Sequence, residues 1–187
     1  VNDPSQVSYP DDNYSNFAKW GYGKNEIVHA CIRELADGVA SPRYYIGLDS
    51  PDSGIEEIVD SPLSNLLRQP NHNEDTYSFL ERLVTFLQVA GNVYILKERD
   101  RTNRVIKLWL LRPDRMSIIP EERGYNSYVY EIDGREYALP QEDVSHLALP
   151  NPQGDVYGLS PLHVLARTVN LDLNMGDFAK MYFQNSG

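Results

Sequence analysis

Four histidines, His29, His72, His146 and His163, are the side chains best suited to bind a metal or move a proton near neutral pH. No two of them stand at the HExxH spacing that puts two imidazoles on one helix face, and a single cysteine leaves no CxxC partner, so a zinc site is unsupported. His29 falls in a helical pattern and His146 in a strand pattern, and structural or surface roles account for all four. Ser145 and His146 are adjacent in a strand, where neighbours point to opposite faces and cannot pair as nucleophile and base. The stretch "GLSPL" is not a G-x-S-x-G nucleophile elbow, and Ser160 within it is placed to cap a helix. No P-loop and no G-x-G-x-x-G occurs. The paired acids Glu56–Glu57, Glu121–Glu122 and Glu142–Asp143 lie in turns or loops and read as solvated, not as an acid/base pair. The expectation is a non-enzymatic protein with no metal and no cofactor. A concave pocket with convergent titratable groups is what would argue otherwise.

Composition points the same way. An apolar content of 41% in 187 residues suffices for a sizeable core. No run of about 18 apolar residues is present, so no membrane partner is expected. The first residues carry no basic segment followed by an apolar one, so no signal peptide is read. Both termini look cut, which predicts a piece of something longer. The net charge of −10 argues against a basic patch that grips DNA. It fits solubility through self-repulsion, and equally a wall past which nucleic acid slides without sticking. One cysteine excludes a disulfide framework and fits a reducing compartment. Cys31 itself lies in an apolar helical stripe and is expected to pack in the core.

The elements follow from pattern and punctuation. Residues 1–24 read as an extended arm. "NEIVHACIRELADGVA" predicts a helix capped by Asn25 and ended by Gly38 and Pro42, with Ile27, Val28, Cys31, Ile32, Leu35 and Val39 on its apolar face. "SPRYYIGLDS" is a candidate strand, "PDSGIEEIVD" a loop, and "SPLSNLLRQPN" a short helix with Ser61 as cap and Pro62 in the first turn. "DTYSFLERLVTFLQVAGN" predicts a second full helix that buries Leu80, Leu83, Val84 and Leu87 and closes at Gly91-Asn92. The period then changes from 3.6 to 2. "VYILKE", "VIKLWLL", "MSIIP", "SYVYEI", "REYAL" and "DVSHLAL" predict an antiparallel β-meander, with a tight hairpin at Asp133-Gly134. After the loop "PNPQGDVYG", Ser160-Pro161 opens a long C-terminal helix. The fold class is α+β: N-terminal helices, an antiparallel β-meander and a long C-terminal helix.

That last helix is apolar on two sides. At 100° per residue, Leu162, Leu165, Ala166, Val169, Leu173, Gly176 and Phe183 share one sector, while Val164, Leu171, Met175, Phe178 and Tyr182 lie nearly opposite. Two opposed stripes need two partners. Either the helix is buried between two layers of its own chain, or it packs its own subunit on one side and a neighbouring subunit on the other. At about 24 residues it would be roughly 35 Å long, longer than a compact meander needs, and arrays of such helices are what a closed ring requires.

Seven short motifs in register carry a resemblance. They are Trp20 followed by "N--V--CI--LA--VA" from Asn25; "LLRQPN"; "GNVYI"; "LWLLRPDRM"; "YEIDGREYALPQEDVSHL"; "GDVYGLSPL"; and the closing "FQNSG". In this order they resemble the portal proteins of tailed bacteriophages, of the siphophage-type branch, over the N-terminal half only. Val93, Met116 and Ser186-Gly187 depart slightly from the family's usual residues. The resemblance implies a structural, ring-forming subunit, typically dodecameric, that forms the DNA packaging and ejection channel at the capsid vertex and joins head to tail. It implies as partners other copies of itself, terminase, head–tail adaptor proteins and capsid protein. Double-stranded DNA would pass non-specifically. It further implies location in a virion assembled in the bacterial host cytoplasm, whether of a free phage or a prophage. On this reading residues 1–24 are an arm, 25–150 a wing-like α+β domain, and 151–187 a loop and stem-like helix. Val164, Leu171, Met175, Phe178 and Tyr182 are then candidate subunit-interface residues, and Arg167 and Lys180 candidate DNA-facing residues, with surface solvation the alternative for both. A non-enzymatic scaffold module of some other assembly is the competing reading.

Overall fold

The computed structural model describes residues 18, 22–50, 54–120, 126–152, 154, 156–165 and 168. The elements are α1 (Glu26–Ala40), β1 (Gly47–Ser50), β2 (Gly54–Glu57), α2 (Pro62–Arg68), α3 (Thr76–Ala90), β3 (Asn92–Arg99), β4 (Val105–Leu111), β5 (Met116–Pro120), β6 (Asn126–Ile132), β7 (Arg135–Leu139) and β8 (Val144–Ala148). Residues 161–165 are again helical. The class is α+β with antiparallel sheets.

The helix starts are set by side chains that accept orphan backbone N–H groups. Asn25 Oδ1 accepts from Val28 N at 3.0 Å, Ser61 Oγ from Ser64 N at 3.0 Å and Asp75 Oδ1 from Ser78 N at 2.9 Å. The bonds from Ser78 hold the Asp75 carboxyl below its usual range. α3 ends as its sequence requires, on Gly91 in the left-handed region. α1 does not stop at Gly38: it runs through it to Ala40, with Ser41 as cap and Pro42 beyond.

The buried row of α1 is Val28, Ile32, Ala36 and Ala40. The adjacent row, Ile27, Cys31, Leu35 and Val39, is exposed. The expected stripe was too wide, and Cys31 is not a core residue. The two rows are one residue apart, and only one can face α3. The small Ala36 and Ala40 permit close approach on that side. α3 lies between α1 and a sheet. Its most buried residues are Phe79, Val84 and Val89, with the expected Leu80, Leu83 and Leu87 half-buried toward the sheet.

The strands do not form one meander. They divide into a sheet of order β4-β3-β8 and a sheet of order β5-β6-β7. Pro113, which has no N–H to give a ladder, opens a 3-10 turn (Pro113–Arg115) that takes β5 out of register with β4. β8 then returns beside β3, pairing Asn92 with Ala148 and Tyr94 with His146. The segment expected as a loop at 54–57 is instead β2, a hairpin partner of β1. Its ladder continues through Ile58 N–H to the Ile46 carbonyl at 2.8 Å. The Asp133-Gly134 turn is as expected, with both residues at positive φ, 50° and 74°.

β3 is the partition between two layers. Alternate side chains go to opposite faces. Val93 and Ile95 face α3 with Phe79 and Leu110, whereas Tyr94 and Leu96 face the other sheet with Leu111, Met116, Ile118, Tyr128 and Val144. Val93 has 0% exposure, so its burial contributes on the order of 2 kcal/mol. The third cluster, Val28, Ile32, Val89 and Leu162, attaches the start of the last helix to α1 and α3. Ala18 and Tyr22, from the end of the expected arm, pack on the same cluster. Gly23 N–H turns back to the Ala18 carbonyl at 2.9 Å.

Candidate assembly site

The start of the last helix is fixed by a polar joint. Ser160 Oγ accepts from Leu162 N at 3.1 Å, which caps the helix, and donates to the Val89 carbonyl at 2.8 Å, at the end of α3. Beside it, Asn92 is saturated. Oδ1 accepts from Gly158 N at 2.8 Å and meets His146 Nε2 at 3.0 Å, while Nδ2 donates to Ala90 O at 2.9 Å and Gly158 O at 3.2 Å. These partners fix the amide orientation, because a backbone N–H needs an oxygen and a carbonyl needs an N–H. They also fix the imidazole: Oδ1 can only accept, so His146 carries its proton on Nε2.

The joint is close-packed. A Cβ on Gly91 would lie 2.6 Å from Ser160 N, and one on Gly158 would lie 2.2 Å from Gly91 O. Leu149 N donates to that same Gly91 carbonyl at 2.8 Å. Tyr157 secures the loop to the second sheet, its hydroxyl accepting from Ile118 N at 3.0 Å. His146 stacks on Tyr94 at 4.5 Å between ring centroids and 13° between planes, and Tyr128 meets it edge-on at 6.2 Å. Burial pushes the His146 imidazole below its usual pKa and raises the Tyr94 hydroxyl well above its own.

From this joint Leu162 points inward, 4% exposed, and Val164 outward, 67% exposed. Leu165 is also exposed. Leu162, Leu165 and Pro161 line one wall of a groove of about 390 Å³ whose other wall is Ile27, Cys31 and Leu35 of α1. Of the remaining predicted site residues, Arg167, Leu171, Met175, Phe178, Lys180 and Tyr182 lie outside the described residues.

Several other titratable groups are engaged in pairs. Glu98 accepts from Lys107 Nζ at 2.9 Å and from Trp109 Nε1 at 2.8 Å, and both bonds lower its pKa. Arg99 Nε reaches Asp143 at 2.6 Å, and Arg82 reaches Glu74 at 2.7 Å. Among the described residues, no group of three or more His, Cys, Asp or Glu could hold a metal ion, and no helix is long and apolar enough to cross a membrane.

Asn92 is the site residue that sequence reading missed as more than a helix-closing position. Its one signal is a polar residue opening an otherwise apolar strand directly after a left-handed glycine.

Fold and site together define a layered α+β body whose polar joint holds the first turn of a further helix at residues 161–165. The chain belongs to the phage portal protein family, whose sequence model matches residues 26–187. It is similar to an uncharacterized protein of Rickettsia bellii (strain RML369-C), 26% identical over 156 residues, covering 80% of this chain and 39% of the relative. A second relative, from Rickettsia felis (strain ATCC VR-1525 / URRWXCal2), is also an uncharacterized protein. It is 25% identical over 164 residues, covering 84% of this chain and 40% of the relative. Among solved structures, a chain from the neck of an empty gene transfer agent particle, computed with C6 symmetry, superposes with TM-score 0.83 at 22% identity. The alignment covers 96% of this chain and 48% of that one. A chain from the neck of the native particle, computed with C12 symmetry, gives TM-score 0.80 at 20% identity, covering 96% and 47%. At these identities the likeness shows the fold. The chain spans 39–40% of the length of the curated relatives and just under half that of the solved chains.

Proposed function

We propose that this chain is part of a structural subunit of a portal ring at a capsid vertex, forming the channel for DNA packaging and ejection and joining head to tail. The observation that carries the reading is the family match over residues 26–187, in a fold also found in a particle neck computed with C12 symmetry. In this reading 1–24 is the arm, 25–150 the wing-like body and 151–187 the loop and stem-like helix. Other copies of the chain are its first partners, followed by terminase, head–tail adaptors and capsid protein. DNA passes without sequence recognition, and the net charge of −10 favours passage over sticking. The subunit would be assembled in the host cytoplasm and reside in the virion.

The joint at Ser160 and Asn92 aims the helix. Val164, Leu171, Met175, Phe178 and Tyr182 would form its outward stripe against the next subunit, and Arg167 and Lys180 are the cations placed to meet passing phosphates. The test replaces Leu171 and Phe178 with glutamate in the full-length protein. Rings seen by native mass spectrometry and electron microscopy should vanish while far-ultraviolet circular dichroism stays nearly unchanged. Collapse of the fold would instead place the stripe in the protein's own core and remove the interface assignment.

A further inference from the structure

The charge of this chain is unevenly placed. Residues 44–67 contain five carboxylates, Asp49, Asp52, Glu56, Glu57 and Asp60, and no Lys or Arg. They include the β1–β2 hairpin, a two-stranded sheet of its own, and every residue from Gly54 to Asp60 is exposed. Glu57 is tied to Arg43 at 2.7 Å, whereas Asp49 and Asp60 meet no partner among the described residues. Residues 97–107 are the reverse: Lys97, Arg99, Arg101, Arg104 and Lys107 stand against two acids, in a chain of net charge −10.

The loop that joins β3 to β4 is pinned from within. Asp100 accepts from Thr102 Oγ1 at 2.6 Å, Thr102 N at 2.8 Å and Arg104 N at 3.0 Å, and Asn103 sits in the left-handed region at φ 64°. The Thr102 hydroxyl, and after it the Arg104 N–H, hold the Asp100 carboxyl down to about 2, so these bonds persist at neutral and mildly acid pH. Arg104 is anchored through Nε, 2.9 Å from Thr102 Oγ1 and 3.3 Å from Asp100 Oδ2. Its terminal N–H groups, and the whole of the exposed Arg101 guanidinium, meet no partner among the described residues. Two open guanidiniums on a fixed turn suit carboxylates, which they can bind through paired N–H groups. The two hairpins belong to layers on opposite sides of α3. Tyr44 Oη donates to the Val39 carbonyl at 2.6 Å, which joins the acidic hairpin to the end of α1, while the basic loop ends the sheet on α3's other side.

We infer that the Arg101–Arg104 loop of one copy of this chain seats on the acidic β1–β2 hairpin of the next copy. A head-to-tail contact needs two different and matching patches on every subunit, and this chain carries both. Acidic bodies repel one another, and a cationic loop set against carboxylates offsets that repulsion and fixes the register of the contact. DNA is the poorer occupant, because the acidic remainder of the body repels a phosphate backbone. The inference rests on the ring reading above and adds to it a charged contact between neighbours.

Charge reversal in the full-length protein tests it. Arg101→Glu breaks no bond among the described residues, and it should raise the protein concentration needed for half-assembly into rings by about fivefold or more. Asp49→Lys together with Asp60→Lys should do the same. The protein carrying all three changes should return to within about twofold of the unmodified one, because the pairing is then restored with signs exchanged. All of these positions are exposed, so circular dichroism and melting temperature of the dissociated subunit should not change. Half-assembly unaffected by Arg101→Glu would overturn the inference while leaving the ring reading intact. If DNA binding fell in that same variant, the loop would be a DNA contact instead. Losses that add in the triple variant, without cancelling, would overturn the inference as well. Absence of rings from the unmodified protein would sink the portal reading, and this contact with it.

Discussion

Asn92 grips Gly158 by both ends of its carboxamide, accepting the backbone N–H at 2.8 Å and donating to the carbonyl at 3.2 Å across 66 residues of chain. One side chain thus ties the first residue of β3 to the loop that launches the last helix. Replacing it with alanine leaves the Gly158 N–H and two carbonyls without this partner. Asn92→Ala should cost about 2–3 kcal/mol in urea unfolding. Asn92→Asp should be at least as damaging, since a carboxylate cannot donate to Ala90 O or Gly158 O.

Gly91 and Gly134 have nearly the same positive φ, 73° and 74°, but different surroundings. A Cβ on Gly134 meets nothing within 4 Å, whereas one on Gly91 strikes the backbone of Leu159 and Ser160. Gly134→Ala should therefore cost only the backbone term, about 1 kcal/mol. Gly91→Ala should cost clearly more, because neither backbone can give way. Paired thermal melts measure the difference. Equal losses would show that the joint tolerates opening.

Leu162 and Val164 stand two residues apart with opposite exposures. Leu162→Ala should destabilise the fold by about 3 kcal/mol, through the cavity it leaves against Val28, Ile32 and Val89. Val164→Ala should stay within about 0.5 kcal/mol. Chemical denaturation of the two variants separates anchor from outward surface.

The His146 imidazole, half-buried between Tyr94 and Tyr128, titrates below its usual value in the folded chain. As pH falls through about 6.5, the unfolded chain takes up the proton first, so stability is full above that pH and is lost as pH drops toward the folded-state value. The melting temperature should decline between pH 7.5 and about 5.5, and His146→Gln should flatten much of that slope. Carboxylates with lowered values, such as Asp37, Asp75 and Glu98, lose their contribution only at more acidic pH.

Much of the fold was legible because its determinants are local. Asn25, Ser61 and Ser160 announce helix starts, Gly91 an end, and Asp133-Gly134 a hairpin, each within a few residues of the structure it sets. What spacing hid was long-range. Nothing near Val144 says that β8 pairs with β3 and not with β7, and a 3.6-residue period cannot tell which of two adjacent α1 rows meets α3. Asn92 is the sharpest case. Beside a helix-ending glycine it looks like a turn residue, and its role depends on partners 54 and 66 positions away. Of the predicted assembly stripe, the described residues include Val164 alone.

The joint around Asn92 also makes the start of the last helix depend on the pairing of the strands. Its parts come from the end of α3, the two paired strands β3 and β8, and the loop at Gly158, so it can close only after the sheet has closed. A nascent chain whose strands are mispaired has nothing to hold Ser160 and Leu162 in place, and its last helix has no defined bearing. Correct strand pairing inside the body is thereby a precondition for a helix start of defined direction.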